Sequence, residues 1–270
     1  MRRVPLIFGL VAVGLVVVTA LVSLAWMPYD PGVIDPAHRL AAPGWPHVLG
    51  TDTFGRDILS RLMAGSRVCL LVGIVSVAIA AALGVPLGMI AGMTRGIASR
   101  LVLRAADLLY AFPAILVAML LAAAFGGSTL TGMMAIGIAT IPVFTRIARA
   151  GTLTIMSQDY IWAARASGTT WPVIAARHVW PNIAPLMGVQ ASVSFGMAIL
   201  AEAALSYLGL ATPPTTPTWG RMLYDAQAQL FNAPLLTLWP ACAIVVAVMG
   251  FNVLGDALRD LLDPRLREVA

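Results

Sequence analysis

The sequence contains no lysine, and all 17 of its basic residues are arginine. This absence excludes a phosphate-binding loop of the G-x-x-x-x-G-K-[ST] type and a Schiff-base lysine. Charged residues of either sign make up only 11% of the chain, against about 25% in a soluble domain. Because 60% of the residues are hydrophobic and so little charge is available for a water-exposed surface, much of the chain must lie in lipid.

Cysteine and histidine are also scarce, with two and three residues respectively. Cys69 and Cys242 lie in apolar runs and form neither a C-x-x-C motif nor a secreted disulfide pattern. His38, His47 and His178 lack the spacing of metal ligands. We therefore expect this chain to bind no metal and no other cofactor. The net charge of +5 does not indicate nucleic acid, because the arginines stand in short clusters between apolar runs, as in membrane proteins.

Apolar runs of about 20 residues predict an all-α integral membrane protein with six transmembrane helices. The predicted spans cover residues 5–26, 69–93, 108–125, 130–147, 183–204 and 235–253, and together they form a single membrane domain over residues 1–270. The first run is too long for a typical signal peptide, which remains the alternative. Gly84, Gly88 and Gly92 recur every four residues and let a neighbouring helix approach closely. Pro113 predicts a kink near the start of the third span.

Four polar segments separate or follow the spans, one of them the proline-rich connection Pro213–Asn232 between the fifth and sixth spans. Residues 27–67 are rich in proline, and within them the pattern over Phe54–Met63 predicts an amphipathic helix along the membrane surface or against the bundle. Residues 146–182 form the longest basic stretch, and the charged tail 254–270 is helical in pattern.

The distribution of arginine predicts the orientation, because cytoplasmic segments of membrane proteins are enriched in basic residues. With both termini in the cytoplasm, 12 of the 17 arginines lie inside. The inner set is Arg2, Arg3, Arg95, Arg100, Arg104, Arg146, Arg149, Arg165, Arg177, Arg259, Arg265 and Arg267, and the outer set is Arg39, Arg56, Arg61, Arg67 and Arg221. Residues 27–67 are then external, and residues 146–182 are cytoplasmic.

Ionisable side chains are rare within the spans, whereas a carrier driven by an ion gradient is expected to have some near the membrane centre. Asp107 is expected to pair with Arg104, three residues before it. Glu202 either pairs across helices, caps a helix end near the outer surface, or lines a solute path. Since the chain also lacks a nucleotide loop, we expect the driving force to come from another protein.

The segment around Gly168 predicts two short helices. Gly168 can end the first with a left-handed cap, and Thr169 or Thr170 can cap the second. Pro172 is tolerated in the first turn of the second helix, and Pro181 is expected to end it. The small residues of the first helix would let it enter a groove on a partner, although an ordinary connecting loop is the alternative.

This segment resembles the coupling loop of bacterial ABC importer permeases, whose pattern is E-A-A, three residues, G, nine residues, I-x-L-P. The matching residues are Ala163, Ala164, Gly168 and Pro181. The departures are Trp162 at the Glu position, His178 at the Ile position and Trp180 at the Leu position.

Further segments resemble the dipeptide/oligopeptide/nickel branch of these permeases, and specifically the second-permease (C-type) subunit. They are Leu49–Asp57 with Ser60-Arg61, Asp107 with Phe112-Pro113, His178 with Pro181-Asn182, Glu202–Leu210 with Thr218–Gly220, and Asn252–Asp260 with Asp263–Arg265. They cover nearly the whole chain in order.

The resemblance implies the type I ABC importer permease fold in the bacterial inner membrane. It further implies four protein partners: a second, homologous permease, two ATPase subunits that bind ATP and Mg²⁺, and an extracytoplasmic solute-binding protein. The chain itself would not be an enzyme. ATP-driven closure of the ATPases would move the short helices as levers and switch the spans between inward-facing and outward-facing states.

The resemblance also assigns candidate residues to each contact. The coupling residues would be Ala163, Ala164, Arg165, Gly168, Thr169, His178 and Pro181; the translocation path or external gate would include Glu202, Ser206 and Trp219; and the binding protein would dock at Asp52, Arg56 and Asp57. The Trp162 departure puts one contact in doubt, because a carboxylate there would pair with the ATPase or with arginines of the loop.

Other functions are less consistent with the sequence. A secondary carrier would require charges within the spans. An intramembrane hydrolase would require a nucleophile beside a base, and Ser192 and Ser194 have no such companion. The solute is expected to be a peptide, with nickel or another small solute of the same branch as the alternative.

Overall fold

The computed structural model describes residues 3–213 and 215–262. This part of the chain is helical and contains no β-strand. The helices are α1 (Arg3–Ala25), α2 (Ile58–Met93), α3 (Ile97–Ala111), α4 (Ala114–Phe125), α5 (Thr129–Met156), α6 (Asp159–Ala166), α7 (Trp171–Ile174), α8 (Trp180–Tyr207), α9 (Trp219–Ala226) and α10 (Leu235–Leu262). The rest of the predicted charged tail, residues 263–270, lies outside the described residues.

Within the described residues, five helical stretches are long and apolar enough to cross a bilayer: Val4–Ala25, Ile58–Met93, Thr129–Met156, Trp171–Tyr207 and Leu235–Asp260. The predicted third span is instead divided into α3 and α4, which meet at 86°. A kink within one continuous helix was predicted at Pro113, and the observed bend between α3 and α4 is larger than such a kink. Phe112 is extended, as the residue before a proline prefers to be, and its conformation ends α3.

The longest helix contact joins α2 to α5, and the two helices run in the same direction. Ser76 Oγ, at the middle of α2, donates to Met133 O near the start of α5 at 3.0 Å, and Gly92 faces Thr152 near the ends of both helices. Since both helices start at the same face of the bundle, the bent α3–α4 pair must return the chain across it. The pair thus serves as a sixth crossing.

Both described ends of the chain lie on one face of the bundle. Gly9 of α1 packs against Leu254 of α10, and Gly250 packs against Ala12, so these helices are antiparallel. The start of α1 therefore lies beside the end of α10. Because α10 is also antiparallel to α8, through the bond from Ser192 Oγ to Phe251 O, this face carries the α6–α7 segment as well.

The amphipathic helix expected over Phe54–Met63 is helical only from Ile58, and it forms the first turns of α2, packed against the bundle, rather than a helix of its own. Asp57 caps α2 by accepting a hydrogen bond from Ser60 N at 2.8 Å, and α2 then continues without a break to Met93. Arg61, expected on the polar face of that helix, is only 2% exposed. The ion pairs described below compensate its charge, so this turn can enter the bundle.

The pairing expected for Asp107 is also wrong. Its carboxylate binds Arg146 on α5, with 2.7 Å between Asp107 Oδ1 and Arg146 Nη2, rather than Arg104 on its own helix. The Arg146 guanidinium also lies over the Tyr110 ring, 4.5 Å from its centroid. This ion pair links α3 to α5. A rule that considers only residues three positions apart on one helix cannot predict such a contact.

Candidate functional site

The α6–α7 segment, residues 159–174, begins two residues beyond the end of α5. α6 ends in a Schellman motif, in which Thr169 N donates to Ala164 O at 3.1 Å and Gly168 N donates to Arg165 O at 3.0 Å. Gly168 has a φ of +79°, so the predicted left-handed cap is present. An added Cβ at Gly168 would meet nothing within 4 Å. Position 168 therefore favours glycine because of its backbone conformation, and not because neighbouring atoms leave no room for a side chain.

Three aliphatic residues attach this segment to the bundle. Ile161 of α6 is 1% exposed, and Ile174 of α7 and Val179 are fully buried. They pack in one cluster with Ala80 of α2 and Phe144 of α5. Burial of each such side chain contributes about 1.5–3 kcal/mol, so the segment is held to the two central helices as a unit.

The second short helix does not end at Pro181, contrary to expectation. α7 continues through a π-helical turn, Ala175–Val179, directly into α8. The wider turn accommodates a proline, which supplies no N–H and whose ring crowds the preceding turn. Thr170 occupies the predicted cap position but makes no side-chain cap bond.

The remaining predicted coupling residues lie on or near the exposed side of this segment. Ala163, Arg165 and Pro181 are exposed, whereas Ala164, Thr169 and His178 are partly buried. The His178 ring lies 6.0 Å from that of Tyr160, so it contacts α6 across the turn. The predicted coupling residues thus lie on or beside one continuous surface, on the face of the bundle that carries the α6–α7 segment.

At the opposite face, Glu202 is 4% exposed within α8. Its Oε1 accepts a hydrogen bond from Ser206 Oγ at 2.6 Å, and Ser206 Oγ lies 3.3 Å from Thr212 Oγ1. The hydroxyl group of Thr218, the N-cap of α9, lies near this carboxylate. Glu202 thus lies where the end of α8 meets the segment that leads to α9, and its place in a solute path stays a prediction.

Trp219 and Gly220 fix α9 against its neighbours. Trp219 Nε1 donates to Leu62 O on α2 at 3.1 Å, and its indole occupies the space that a Cβ at Gly65 would need. A Cβ at Gly220 would lie 2.1 Å from Ala203 O on α8. The predicted path residues Glu202, Ser206 and Trp219 therefore meet where α2, α8 and α9 converge.

Two of the residues predicted for docking, Asp52 and Arg56, lie in an internal network with Arg61, Arg221 and Asp225. We call these five residues the outer ion-pair cluster. Arg56 Nε lies 2.6 Å from Asp52 Oδ2, and Arg56 Nη2 lies 2.9 Å from Asp225 Oδ2. Arg221 Nε lies 3.2 Å from Asp225 Oδ1. The cluster ties the external segment to α2 and α9, so Asp52 and Arg56 offer a docking protein little free charge.

Asp57 is likewise occupied within the chain. It is 3% exposed, and its Oδ1 lies 3.0 Å from His47 Nδ1 while its Oδ2 caps α2. Asp35, nearer the start of the predicted external segment, has a side chain that is 42% exposed, and its hydrogen bond with His38 lowers the pKa of its carboxyl group.

Arg61 is the central cation of the outer ion-pair cluster. Its Nη2 has no hydrogen-bond partner among the described residues, and the nearest cluster carboxylate oxygen lies 3.6 Å away on Asp225. A cavity of about 20 Å³ adjoins it, lined in part by Thr53 and Met222. Because one water needs about 10–15 Å³, the cavity has room for a water that bridges Arg61 to a carboxylate.

Sequence reasoning missed most of this cluster. The i,i+4 spacing of Arg221 and Asp225 is a usable local signal. The contact from Arg56 to Asp225 spans 169 residues, and nothing local in either segment indicates it. Among residues 3–213 and 215–262, no group of three or more His, Cys, Asp or Glu side chains is placed to hold a metal ion.

Comparison with known proteins identifies the family. A family model described as "Binding-protein-dependent transport system inner membrane component" matches residues 84–268, more than half of the chain. The chain belongs to this family. This permease is 39% identical over 262 residues to the glutathione transport system permease protein GsiD of Pectobacterium atrosepticum, covering 95% of this chain and 87% of that protein. It is also 39% identical over 254 residues to GsiD of Escherichia coli, covering 94% and 84% respectively.

A solved structure supports the fold. The permease matches a chain of the MetNI methionine ABC transporter, in a structure of inward-facing conformations, with a TM-score of 0.64 and 18% identity. The match covers 75% of this permease and 97% of that chain. The predicted type I ABC importer permease fold, the peptide/nickel branch and the inner-membrane location are thereby confirmed. The chain is a permease subunit of an ABC importer.

Proposed function

We propose that this permease forms half of the translocation pathway of an importer for small peptides, including peptide-like solutes of the glutathione kind. It pairs with a second, homologous permease and is driven by two ATPase subunits on separate chains. An extracytoplasmic binding protein delivers the solute to the face that carries α9. The family and the MetNI likeness support the ATPases and the second permease, and the GsiD relatives support the peptide class of solute.

The mechanism rests on one observation. The α6–α7 segment is exposed at the turn around Gly168, whereas the side chains that attach it to the bundle, which we call its base, are buried. Ile161, Ile174 and Val179 pack into the cluster that contains Phe144 of α5. A partner that moves the turn at Gly168 therefore displaces α2 and α5 with it. Because packed interfaces are bistable and do not deform continuously, such a displacement can switch the bundle between two arrangements.

The orientation follows from arginine counting and from the shared face of the two chain ends. We place that face, with the α6–α7 segment, in the cytoplasm, and the outer ion-pair cluster outside. α8 joins the two faces, with Pro181 at one end and Glu202 near the other. Movement of α6–α7 thus reaches Glu202 and the attached α9 through one helix.

The test is to replace Gly168 with valine in the complete transporter. A residue other than glycine in the left-handed region costs about 1–2 kcal/mol, so the turn should rearrange while the buried base holds the fold. Gly126→Val is the matched control, because Gly126 also has a positive φ, +82°, and open space around it, but lies at the opposite face.

We expect Gly168→Val to abolish solute-stimulated ATP hydrolysis and peptide uptake in complexes that still assemble, and Gly126→Val to retain both. The isolated permease should hydrolyse no ATP. Equal activity of the two variants would contradict the coupling mechanism. A ligand screen of the cognate binding protein tests the solute, and failure to bind any peptide would refute that class.

A further inference from the structure

Arg165, on the exposed side of α6, packs against two indole rings. Its Cζ is 4.6 Å from the centroid of Trp171 and 5.2 Å from that of Trp162. No carboxylate of the described residues lies within salt-bridge distance of this guanidinium. Arg165 is thus positioned by aromatic contacts alone.

The local fold produces this arrangement. Trp162 and Arg165 are three residues apart, so they lie on the same side of α6. The left-handed turn at Gly168 then brings Trp171 of α7 beside them. Trp162 remains 56% exposed and Trp171 45% exposed, so the group forms part of the surface.

The aromatic stacking determines which groups of Arg165 remain free to bind a partner. Aromatic rings interact with the faces of a guanidinium, whereas its N–H donors lie in the plane and point outward from the edge. A guanidinium held in this way has lost much of its rotamer freedom before it binds anything. It is therefore preorganised to form a bidentate pair with a carboxylate.

The charge of the surface indicates the same partner chemistry. Residues 159–178 carry one acidic side chain, Asp159, and two arginines, Arg165 and Arg177. The Glu of the coupling-loop pattern is absent, because Trp162 occupies its position. The segment therefore presents net positive charge, and its electrostatic complement is anionic.

We propose that Arg165, held against Trp162 and Trp171, binds an acidic side chain of the ATPase subunit. The aromatic pair replaces the carboxylate of related coupling loops and reverses the sign of this contact. The proposal rests on the proposed function, since it assumes that the α6–α7 segment docks on an ATPase.

The absence of lysine from this chain allows a direct test. Arg165→Lys introduces the only side-chain amine in the permease. A water-soluble carbodiimide activates carboxylates, and a lysine amine in contact with one forms an amide without a spacer. Arg100→Lys is the matched control, because Arg100 is an exposed arginine of α3 outside the α6–α7 segment.

We expect carbodiimide to join the Arg165→Lys permease to the ATPase in the purified complex, with mass spectrometry locating the bond between residue 165 and an Asp or Glu. The Arg100→Lys complex should not cross-link. An Arg165→Lys complex that hydrolyses ATP in response to solute but cross-links no more than the control would overturn this proposal alone. Failure of the wild-type permease to assemble with any ATPase would instead refute the proposed function.

A second pair of variants tests the charge reversal without lysine. Trp162→Glu restores the residue of the pattern, but its carboxylate would pair with Arg165 and repel the acidic partner. We expect stimulated hydrolysis to fall about tenfold or more, whereas Trp162→Phe should retain most of it. Hydrolysis by Trp162→Glu at or above the wild-type rate would overturn the proposal.

Discussion

Gly88→Ala tests the close packing of α2 on α5, the contact on which the bundle depends. A Cβ at Gly88 would lie 2.4 Å from Thr145 O, 2.7 Å from Ala148 Cβ and 3.0 Å from Arg149 N. Two of these neighbours are backbone atoms and the third is a methyl group without rotamers. None can move aside without displacing α5.

The magnitude follows from two opposing terms. Replacing a helical glycine with alanine gains about 1 kcal/mol of helix propensity. Overpacking in a well-packed interior costs about 1–3 kcal/mol, and a rigid backbone neighbour places Gly88 at the upper end. The net destabilisation is therefore about 2 kcal/mol, or roughly 4–8 °C in Tm for a chain of this size.

Gly188→Ala is the matched control, because Gly188 is also helical but an added Cβ meets nothing within 4 Å. Thermal unfolding of the detergent-purified complex should show a lower Tm for Gly88→Ala. Gly188→Ala should be unchanged or slightly more stable. Equal Tm values for the two variants would refute the packing argument.

Three further predictions concern the two faces of the bundle. Ile174→Ala should cost about 2–5 kcal/mol by opening a cavity and should weaken stimulated ATP hydrolysis, whereas Val173→Ala, at a 38% exposed position, should do neither. Trp219→Phe removes the indole hydrogen bond to α2 and should lower the Tm by the equivalent of about 1 kcal/mol; an unchanged Tm would contradict that bond. In a chain whose native cysteines are replaced by alanine, an impermeant maleimide should label Trp45→Cys in intact cells and Ser167→Cys only after permeabilisation. The reverse pattern would overturn the orientation.

Features determined by local chemistry were predictable from the sequence. The four-residue glycine repeat indicated close helix contact, and Gly84, Gly88 and Gly92 all face α5. Gly168 indicated a left-handed helix end because the small residues before it favour helix and the threonines after it do not. Apolar run lengths located the membrane helices but not their ends, since α2 and α5 extend beyond the lipid-length runs into polar sequence.

Features that depend on distant contacts were not predictable. Asp107 has an arginine three residues before it, yet its partner on α5 is 39 residues away. Pro181 is a helix breaker by its chemistry, but the π-helical turn before it lets the helix continue. From the sequence, Arg61 is expected at the surface. In the structure, the packing of α9 places Asp225 beside it.

The candidate sites also include residues that the local sequence predicts and residues that only distant contacts bring together. The residues around Gly168 were found because they are contiguous and follow a recognisable pattern. The stacking of Arg165 on Trp171 depends on how the turn folds. The contact of Ser206, the hydrogen-bond donor to Glu202, with Thr212 depends on a loop that returns to α8. Asp52 and Asp57, predicted as docking residues, have partners within the chain that their local sequence does not indicate, and their role in docking stays a prediction.

The most direct test of the account is solute uptake by the complete transporter in proteoliposomes, with ATP at the side that carries Gly168. Transport of a labelled peptide should require active ATPases and should cease when both carry an inactivating substitution at the catalytic site. Uptake that continued at the wild-type rate with both ATPases inactive would show that this permease is not driven by its partners.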